Sequence, residues 1–289
     1  MLTSRPTGLT SRAPARHGRP TRAACAVATV LVFVTAGQAF GTASADAAPG
    51  QELIGHRCRT YDDAVTNENT VAALIEIAAV PGATCELDVW RLADNHQIIW
   101  HDTTWERVAD PATLPDGVKP TDSVADATWD QVSQIRTRGG QRVATLHGII
   151  DASAKHAVPL MIELRNGIAD PQGIVDYITQ SGATVSFYKQ PSATCNLDTL
   201  TALATAGATV GLKLSPDLPC QLSTDEIQAT GASYVTQTVS AITPEYTADL
   251  NARGVAVYAR WVSQATAEEA LSNGAAKVMV DDPVEALTW

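Results

Sequence analysis

Residues 84–89 read "TCELDV" and place two carboxylates, Glu86 and Asp88, within a short run of strand-forming residues. Successive side chains of a β-strand point to opposite faces, so residues two apart share a face. Glu86 and Asp88 are therefore predicted to project together from one side of a strand, with Leu87 on the other side. The fold must bring this charged face to a place where two neighbouring carboxylates are tolerated.

Seven further short runs resemble strands, and helical patterns separate them. The eight predicted strands cover residues 53–57, 84–89, 159–165, 184–188, 210–214, 234–239, 255–261 and 277–281. Several helical patterns begin with Asn, Ser or Thr and end at glycine, as capped helices do. Eight strand–helix units predict an α/β fold of the (β/α)8 TIM-barrel type. A doubly wound open sheet is the alternative, but the glycine-rich turn that usually follows its first strand is missing here.

Two segments depart from the repeat. Residues 92–102, "LADNHQIIWHD", follow the second strand closely, and the "DN" between apolar runs predicts a β-hairpin excursion above the barrel. Residues 103–143 are rich in Pro, Asp and Gly and are predicted to form a small surface insertion.

The first 47 residues have the pattern of a secretory signal peptide: a basic lead, an apolar run over about residues 23–40, and small residues before a cut. A retained membrane anchor is the alternative. Cleavage would leave residues 48–289 as one domain, secreted to the extracellular space and without stable membrane anchoring. It would remove five arginines and one aspartate, so the net charge would fall from −11 to −15. A chain this acidic is not expected to bind nucleic acid or anionic membranes in general.

Four cysteines remain after the expected cut, namely Cys58, Cys85, Cys195 and Cys220. An even number in an exported protein predicts two disulfides, for which three pairings are possible. Cys58 directly follows the first predicted strand and Cys85 lies on the second, and neighbouring strands are about 5 Å apart. Cys195 and Cys220 both follow strands at the same end of the barrel. This placement favours the pairs Cys58–Cys85 and Cys195–Cys220.

The active site of such a barrel lies at the carboxyl ends of its strands. Glu86, Asp88 and Glu163 would all point inward there. Three bare carboxylates cannot crowd together without raising one another's pKa, and a hard divalent cation relieves the repulsion. Calcium or magnesium suits oxygen ligands, and zinc is disfavoured because no cysteine pair has ligand spacing.

Basic residues come to the same end. His56 and Arg57 end the first strand, Arg165 ends the third, and His101 returns on the hairpin. A cation and two guanidinium groups would neutralise phosphate oxygens. One imidazole could remove a proton from an attacking hydroxyl while the other protonates the leaving alcohol. This set predicts a phosphodiester as a small-molecule substrate.

The order and spacing of these motifs resemble those of the glycerophosphodiester phosphodiesterases, which are related to the sphingomyelinase D-like phosphodiesterases. The motifs are His56-Arg57, "ENT" at residues 68–70, "ELDV" at 86–89, "WHD" at 100–102 and "IEL" at 162–164. The resemblance covers nearly all of residues 48–289. It implies a TIM barrel of the phospholipase C-like type that hydrolyses glycerophosphodiesters to an alcohol and sn-glycerol 3-phosphate.

The resemblance also implies roles for individual residues. The metal ligands would be Glu86, Asp88 and Glu163, and the acid/base pair would be His56 and His101. Phosphate or substrate would be bound by Arg57, Arg165 and Trp261. Glu68 and Asn69 would support these residues. Calcium is favoured as the cofactor because exported sites meet it in abundance, and magnesium is the alternative. Deacylated phospholipids such as glycerophosphocholine are the expected substrates.

Some positions depart from the family pattern. Cys58 stands where the family usually has glycine, and Arg165 where it usually has lysine. The seventh barrel strand usually presents an aromatic residue, and here Trp261 falls one position late. Two rivals follow: a sphingomyelinase D-like enzyme acting on intact phospholipids, and a catalytically inactive binding protein on the same scaffold.

Overall fold

The computed structural model describes residues 53–59 and 67–289. The predicted signal peptide, residues 1–47, lies outside the described residues and stays a prediction. Within the described ranges, no helix combines the length and apolar character needed to cross a bilayer.

Eight parallel strands close into a barrel, as predicted. The strands are β1 Leu53–Gly55, β2 Thr84–Arg91, β4 Leu160–Leu164, β5 Val185–Lys189, β6 Thr209–Lys213, β7 Tyr234–Thr238, β8 Ala256–Arg260 and β9 Lys277–Val280. Each pairs in parallel with its neighbours, and β1 closes the ring by pairing with both β2 and β9. A closed parallel ring of this kind is the (β/α)8 barrel, so the open-sheet alternative is wrong.

Helices follow the strands around the outside of the barrel. They are α1 Val71–Ile77, α2 Trp129–Val132, α3 Leu146–His156, α4 Pro171–Ser181, α5 Asp198–Thr205, α6 Thr224–Ala229, α7 Pro244–Ala252, α8 Gln264–Ser272 and α9 Pro283–Ala286. Thr70 and Thr145 cap α1 and α3 by accepting a hydrogen bond from a backbone N–H of the first turn. Gly182 ends α4 in the left-handed conformation.

The core has an outer layer between strands and helices and an inner layer inside the barrel. The inner layer includes Tyr188 and Tyr234, both buried. Gly211 makes room for Tyr234, because a Cβ at position 211 would lie 2.3 Å from that ring. This aromatic packing fills the barrel below the carboxyl ends of the strands. The polar side chains at those ends therefore lie directly on a packed apolar layer.

The predicted hairpin is present. Strand β3, Gln97–Ile99, runs antiparallel to the upper half of β2, with Val89 opposite Ile99. Asn95 in the turn adopts a positive φ of 68°, which asparagine tolerates better than most residues.

The segment 103–143 contains only short helical turns, but it is packed. Trp105 and Ile135 are fully buried in a second hydrophobic cluster that also includes Trp100 of the hairpin. The insertion is therefore a small folded unit that holds its side chains in fixed positions.

Both favoured disulfides are present. Cys58 and Cys85 are completely buried, and their bond ties the segment after β1 to β2. Cys195 and Cys220 join the loops that follow β5 and β6. The bonds span 27 and 25 residues respectively.

Replacing either cysteine pair by serine should lower stability to a similar extent. Loops of this size give about 3 kcal/mol of stabilisation in the chain-entropy account. In a domain of this length that corresponds to a fall in Tm of roughly 5–10 °C, measured by thermal unfolding with and without dithiothreitol. A Tm that neither reductant nor either double substitution changes would contradict this expectation.

Candidate active site

Glu86, Asp88 and Glu163 converge at the carboxyl ends of β2 and β4. Asp88 and Glu163 are direct neighbours in the register of the two strands, and Glu86 lies two residues before Asp88 on the same face. One carboxylate oxygen from each of the three lies within 4.8 Å of the others. All three side chains are buried, at 1%, 1% and 7% exposure. The structure thus brings together the three predicted metal ligands.

Uncharged donors hold two of these carboxylates. The Tyr188 hydroxyl donates to Glu86 Oε1 at 2.7 Å and lies 3.2 Å from Glu163 Oε2. The backbone N–H of Arg57 donates to Glu86 Oε2 at 2.8 Å. That backbone orientation accompanies a positive φ of 56° at Arg57. The left-handed turn after β1 therefore aims a main-chain donor into the acidic cluster.

Asn69 fixes the third carboxylate. Its amide donates to Asp88 Oδ2 at 3.2 Å and accepts from the Asp88 backbone N–H at 3.0 Å. Asn69 is 4% exposed and also has a positive φ, 59°. It contacts a predicted metal ligand and can orient it.

Two cations approach the cluster from its open side. Lys213 Nζ lies 2.6 Å from Glu163 Oε2. Arg165 Nη1 lies 3.3 Å from Glu163 Oε1 and 3.6 Å from Asp88 Oδ1.

The electrostatics of the three carboxylates are uneven. Burial, and then the charges of Glu86 and Glu163, raise the pKa of Asp88 well above its ordinary value. Burial also acts to raise the pKa of Glu163, but Lys213, Arg165 and the Tyr188 hydrogen bond together outweigh it and leave that pKa lowered. Negative charge at Asp88 therefore remains poorly compensated by the protein itself. A buried set of oxygen ligands in this condition fits a hard divalent cation such as calcium or magnesium.

Each predicted acid/base histidine is paired with a carboxylate. His56 Nδ1 lies 2.7 Å from Asp281 Oδ1, and His101 Nδ1 lies 2.6 Å from Asp102 Oδ1. The hydrogen bond from His56 lowers the pKa of Asp281. Both Nδ1 atoms therefore donate to carboxylates, and the Nε2 atom of each ring is left for proton exchange.

Arg57 joins the two histidines. It follows His56 in the chain, and its Nη2 lies 2.9 Å from His101 Nε2. Guanidinium groups only donate, so Nε2 of His101 accepts this hydrogen bond and carries a lone pair. His101 is thus held in the tautomer that a proton acceptor requires.

A network of ion pairs among Arg57, Glu68, Arg107 and Asp102 holds Arg57 and His101 in place. Glu68, 3% exposed, accepts hydrogen bonds from Arg57 Nη1 at 3.1 Å and from Arg107 Nη1 at 2.9 Å. Arg107 Nε also donates to Asp102 Oδ2 at 2.7 Å. Burial alone would raise the pKa of Asp102, but its hydrogen bonds with His101 and Arg107 lower it well below the usual range.

Trp261 lies at the rim of the barrel. It follows β8 with a positive φ of 56° and is 57% exposed. Arg260 takes the inward-facing place at the end of β8 and is 3% exposed. Because the aromatic residue comes one position later than in the family pattern, Arg260 lies inside the mouth of the barrel and Trp261 packs over it.

Six residues of this site were not assigned roles from the sequence, namely Asp102, Arg107, Tyr188, Lys213, Arg260 and Asp281. Tyr188, Lys213 and Arg260 continue the inward-facing rows of β5, β6 and β8, so strict alternation along each strand was a usable signal. Arg107 had no such signal, because it comes from the irregular insertion.

Comparisons with known proteins agree with this geometry. The sequence model of the glycerophosphoryl diester phosphodiesterase family matches residues 56–283. No protein among the curated sequences matches the chain. A glycerophosphodiester phosphodiesterase from Agrobacterium tumefaciens is similar in structure, with a TM-score of 0.64 and 19% identity over 82% of this chain and 99% of the other.

Two further solved structures share the fold. One is a glycerophosphodiester phosphodiesterase from Parabacteroides distasonis, with a TM-score of 0.63 and 16% identity over 82% of this chain and 94% of the other. The second, an Oleispira antarctica phosphodiesterase in complex with the product sn-glycerol-3-phosphate, has a TM-score of 0.63 and 17% identity over 82% and 96% of the two chains. The closed barrel, the buried acidic cluster and the match over residues 56–283 lead to one assignment: the chain belongs to the glycerophosphoryl diester phosphodiesterase family.

Proposed function

We propose that this protein hydrolyses glycerophosphodiesters to an alcohol and sn-glycerol 3-phosphate with a divalent cation and two histidines. The observation that carries the proposal is the buried carboxylate cluster flanked by two histidine–carboxylate pairs that Arg57 joins. Family membership supports the reaction class, and the product complex of the Oleispira antarctica enzyme supports the product.

Glu86, Asp88 and Glu163 would hold the cation. Calcium is favoured, since carboxylate oxygens suit its loose coordination, and magnesium is the alternative. When bound, the cation would neutralise charge on the phosphate oxygens and lower the pKa of a hydroxyl that it contacts. Arg57 and Arg165 add positive charge on the same side and would orient the phosphodiester.

His56 and His101 would exchange the protons. Each has its Nδ1 tied to a carboxylate, so each transfers a proton through Nε2. One imidazole would accept a proton from the attacking water as its oxygen bonds to phosphorus, and the other would donate a proton to the oxygen of the departing alcohol. Asp281 and Asp102 stabilise whichever imidazole carries the positive charge.

We also propose that residues 1–47 direct export and that residues 48–289 act outside the cell. Two disulfides support this placement, because such bonds form and persist in oxidising compartments.

Replacing His101 or His56 by alanine should reduce kcat on a soluble glycerophosphodiester by ~10²-fold or more, since each substitution removes a proton-transfer group. Release of glycerol phosphate, with and without EDTA, measures the loss. His156→Ala, at the end of α3 on the far side of the barrel, is the matched control and should keep full activity.

The rivals give different results in the same assay. Choline release from phospholipid micelles without hydrolysis of soluble diesters would favour a sphingomyelinase D-like enzyme. Absence of hydrolysis with every metal would favour an inactive binding protein.

Asp88→Asn should stabilise the metal-free protein and abolish its stabilisation by metal. The folded pKa of Asp88 is raised, so its ionisation destabilises the fold increasingly as the pH rises above the ordinary range of an aspartate. Removing that charge should raise the Tm in EDTA at pH 7.5 by about 2–4 °C, equivalent to ~1 kcal/mol. Calcium at 100-fold its Kd should stabilise the wild type by about 2.7 kcal/mol and the variant not at all.

Asp176→Asn on α4 is the control for the amide substitution, because Asp176 is exposed and remote from the cluster. A lower Tm for Asp88→Asn in EDTA, or an equal calcium response in both proteins, would argue against a metal site here.

Arg107→Met should lower kcat by about 10–100-fold with a smaller change in KM, as losses of supporting hydrogen bonds commonly do. The substitution frees Asp102 and Glu68, so His101 and Arg57 lose their fixed orientation. Arg107→Lys should recover part of the loss, because it restores charge without the paired hydrogen bonds. Arg142→Met, an exposed change in the same insertion, is the control. Equal kcat values for Arg107→Met and Arg142→Met would exclude a positioning role for Arg107.

A further inference from the structure

Arg260 is a buried cation that forms no ion pair with any described residue, and the charges of Glu163 and Glu86 act on it only from a distance. The residue is only 3% exposed, and its Nη2 donates a hydrogen bond to the Leu214 carbonyl oxygen. Its Nε is buried and has no hydrogen-bond partner within the described residues. No carboxylate in the described part of the chain forms an ion pair with it. A charge buried in this way is costly unless something else compensates it.

Further cations lie at the ends of three consecutive strands of the barrel, β4, β5 and β6. Arg165 follows β4, Lys189 ends β5 and Lys213 ends β6. Lys189 is half-buried, and within residues 53–59 and 67–289 it forms no ion pair. Burial lowers its pKa, Glu163 opposes that shift and Arg165 adds to it, so Lys189 lies within the field of the acidic cluster. With Arg260, four cations therefore lie at strand ends beside the acidic cluster, in a chain whose net charge is −11.

Trp261 covers this positive group. The Arg260 guanidinium carbon lies 4.4 Å from the centre of the Trp261 ring, and Lys213 Nζ lies 6.0 Å from it. An exposed tryptophan at an enzyme mouth is usually a candidate for binding quaternary ammonium groups. Here the protein's own cations already lie against the ring, so a trimethylammonium group placed on it would meet two positive charges.

We propose that Arg260, Lys213 and Trp261 form a subsite for the alcohol half of the substrate that accepts an additional anionic group and disfavours quaternary ammonium. The inference rests on the proposed phosphodiesterase function and specifies its substrate class. The preferred substrates are glycerophosphodiesters whose alcohol is a phosphorylated or otherwise anionic polyol. Choline esters, expected from the sequence, become poor substrates.

Two pairs of substrates isolate the effect of charge. Glycerophosphocholine is compared with its neutral 3,3-dimethylbutyl isostere, and glycerophosphoinositol with glycerophosphoinositol 4-phosphate. We expect kcat/KM to be about fivefold higher or more for the neutral isostere and for the phosphorylated inositol ester, the scale of partly exposed charge interactions. Both ratios should decrease as ionic strength rises.

Substitutions of Arg260 test whether the charge preference of the substrate ratios arises at this subsite. Arg260→Met should bring both ratios close to one, and Arg260→Lys should keep them above one because the charge remains. Arg260→Gln, which keeps a polar donor beside the Leu214 carbonyl oxygen, should also bring both ratios close to one and tests the inference even where Arg260→Met fails to fold. Arg253→Met is the matched control, since Arg253 follows α7 away from the mouth and the change removes the same charge.

The outcomes separate this inference from the proposed function. Hydrolysis of all four esters with ratios of one, or with faster cleavage of the choline ester, would overturn the subsite and leave the phosphodiesterase standing. Absence of hydrolysis of every ester would overturn the proposed function. Calorimetric binding of the same pairs would then test the subsite directly, and equal affinities within each pair would exclude it.

Discussion

Mutual repulsion among Glu86, Asp88 and Glu163 is the constraint to which the rest of the site responds. The three carboxylates are buried together, and burial makes the repulsion stronger. Tyr188 and the Arg57 backbone N–H supply donors without adding charge, whereas Arg165 and Lys213 add charge at the open side. The pKa of Asp88 stays raised, first through burial and then through the charges of Glu86 and Glu163, so part of the repulsion is left unrelieved. A divalent cation is the natural complement of what remains.

The barrel and the insertion contribute different residues to the site. Strand ends supply the carboxylates and most cations, because inward-facing rows of neighbouring parallel strands meet there. The insertion supplies Arg107, which ties Glu68 to Asp102 and so connects Arg57 with His101. Buried Trp105 and Ile135 of the insertion make this possible, since only a packed segment can hold a guanidinium at hydrogen-bond distance from two carboxylates.

The repeat of eight apolar runs was sufficient to predict the barrel, and alternation within "TCELDV" was sufficient to predict that Glu86 and Asp88 share a face. Strand adjacency also favoured the correct disulfides. Tyr188, Lys213 and Arg260 were harder, because their inward orientation depends on strand register to the single residue. Arg107 was out of reach, since its contacts arise from tertiary packing of a segment without periodic pattern. The roles of the assigned residues remain proposals.

The bond between Cys58 and Cys85 has a consequence for the geometry of the turn beside His56. Cys58 adopts a positive φ of 60° immediately after Arg57, a conformation that side chains other than glycine resist. The disulfide holds this segment against β2, where Glu86 receives the Arg57 N–H. A reduced chain lacks that tether and has to hold the left-handed turn beside His56 by noncovalent contacts alone. Oxidation of this thiol pair is therefore coupled to the geometry of the turn that carries His56 and Arg57.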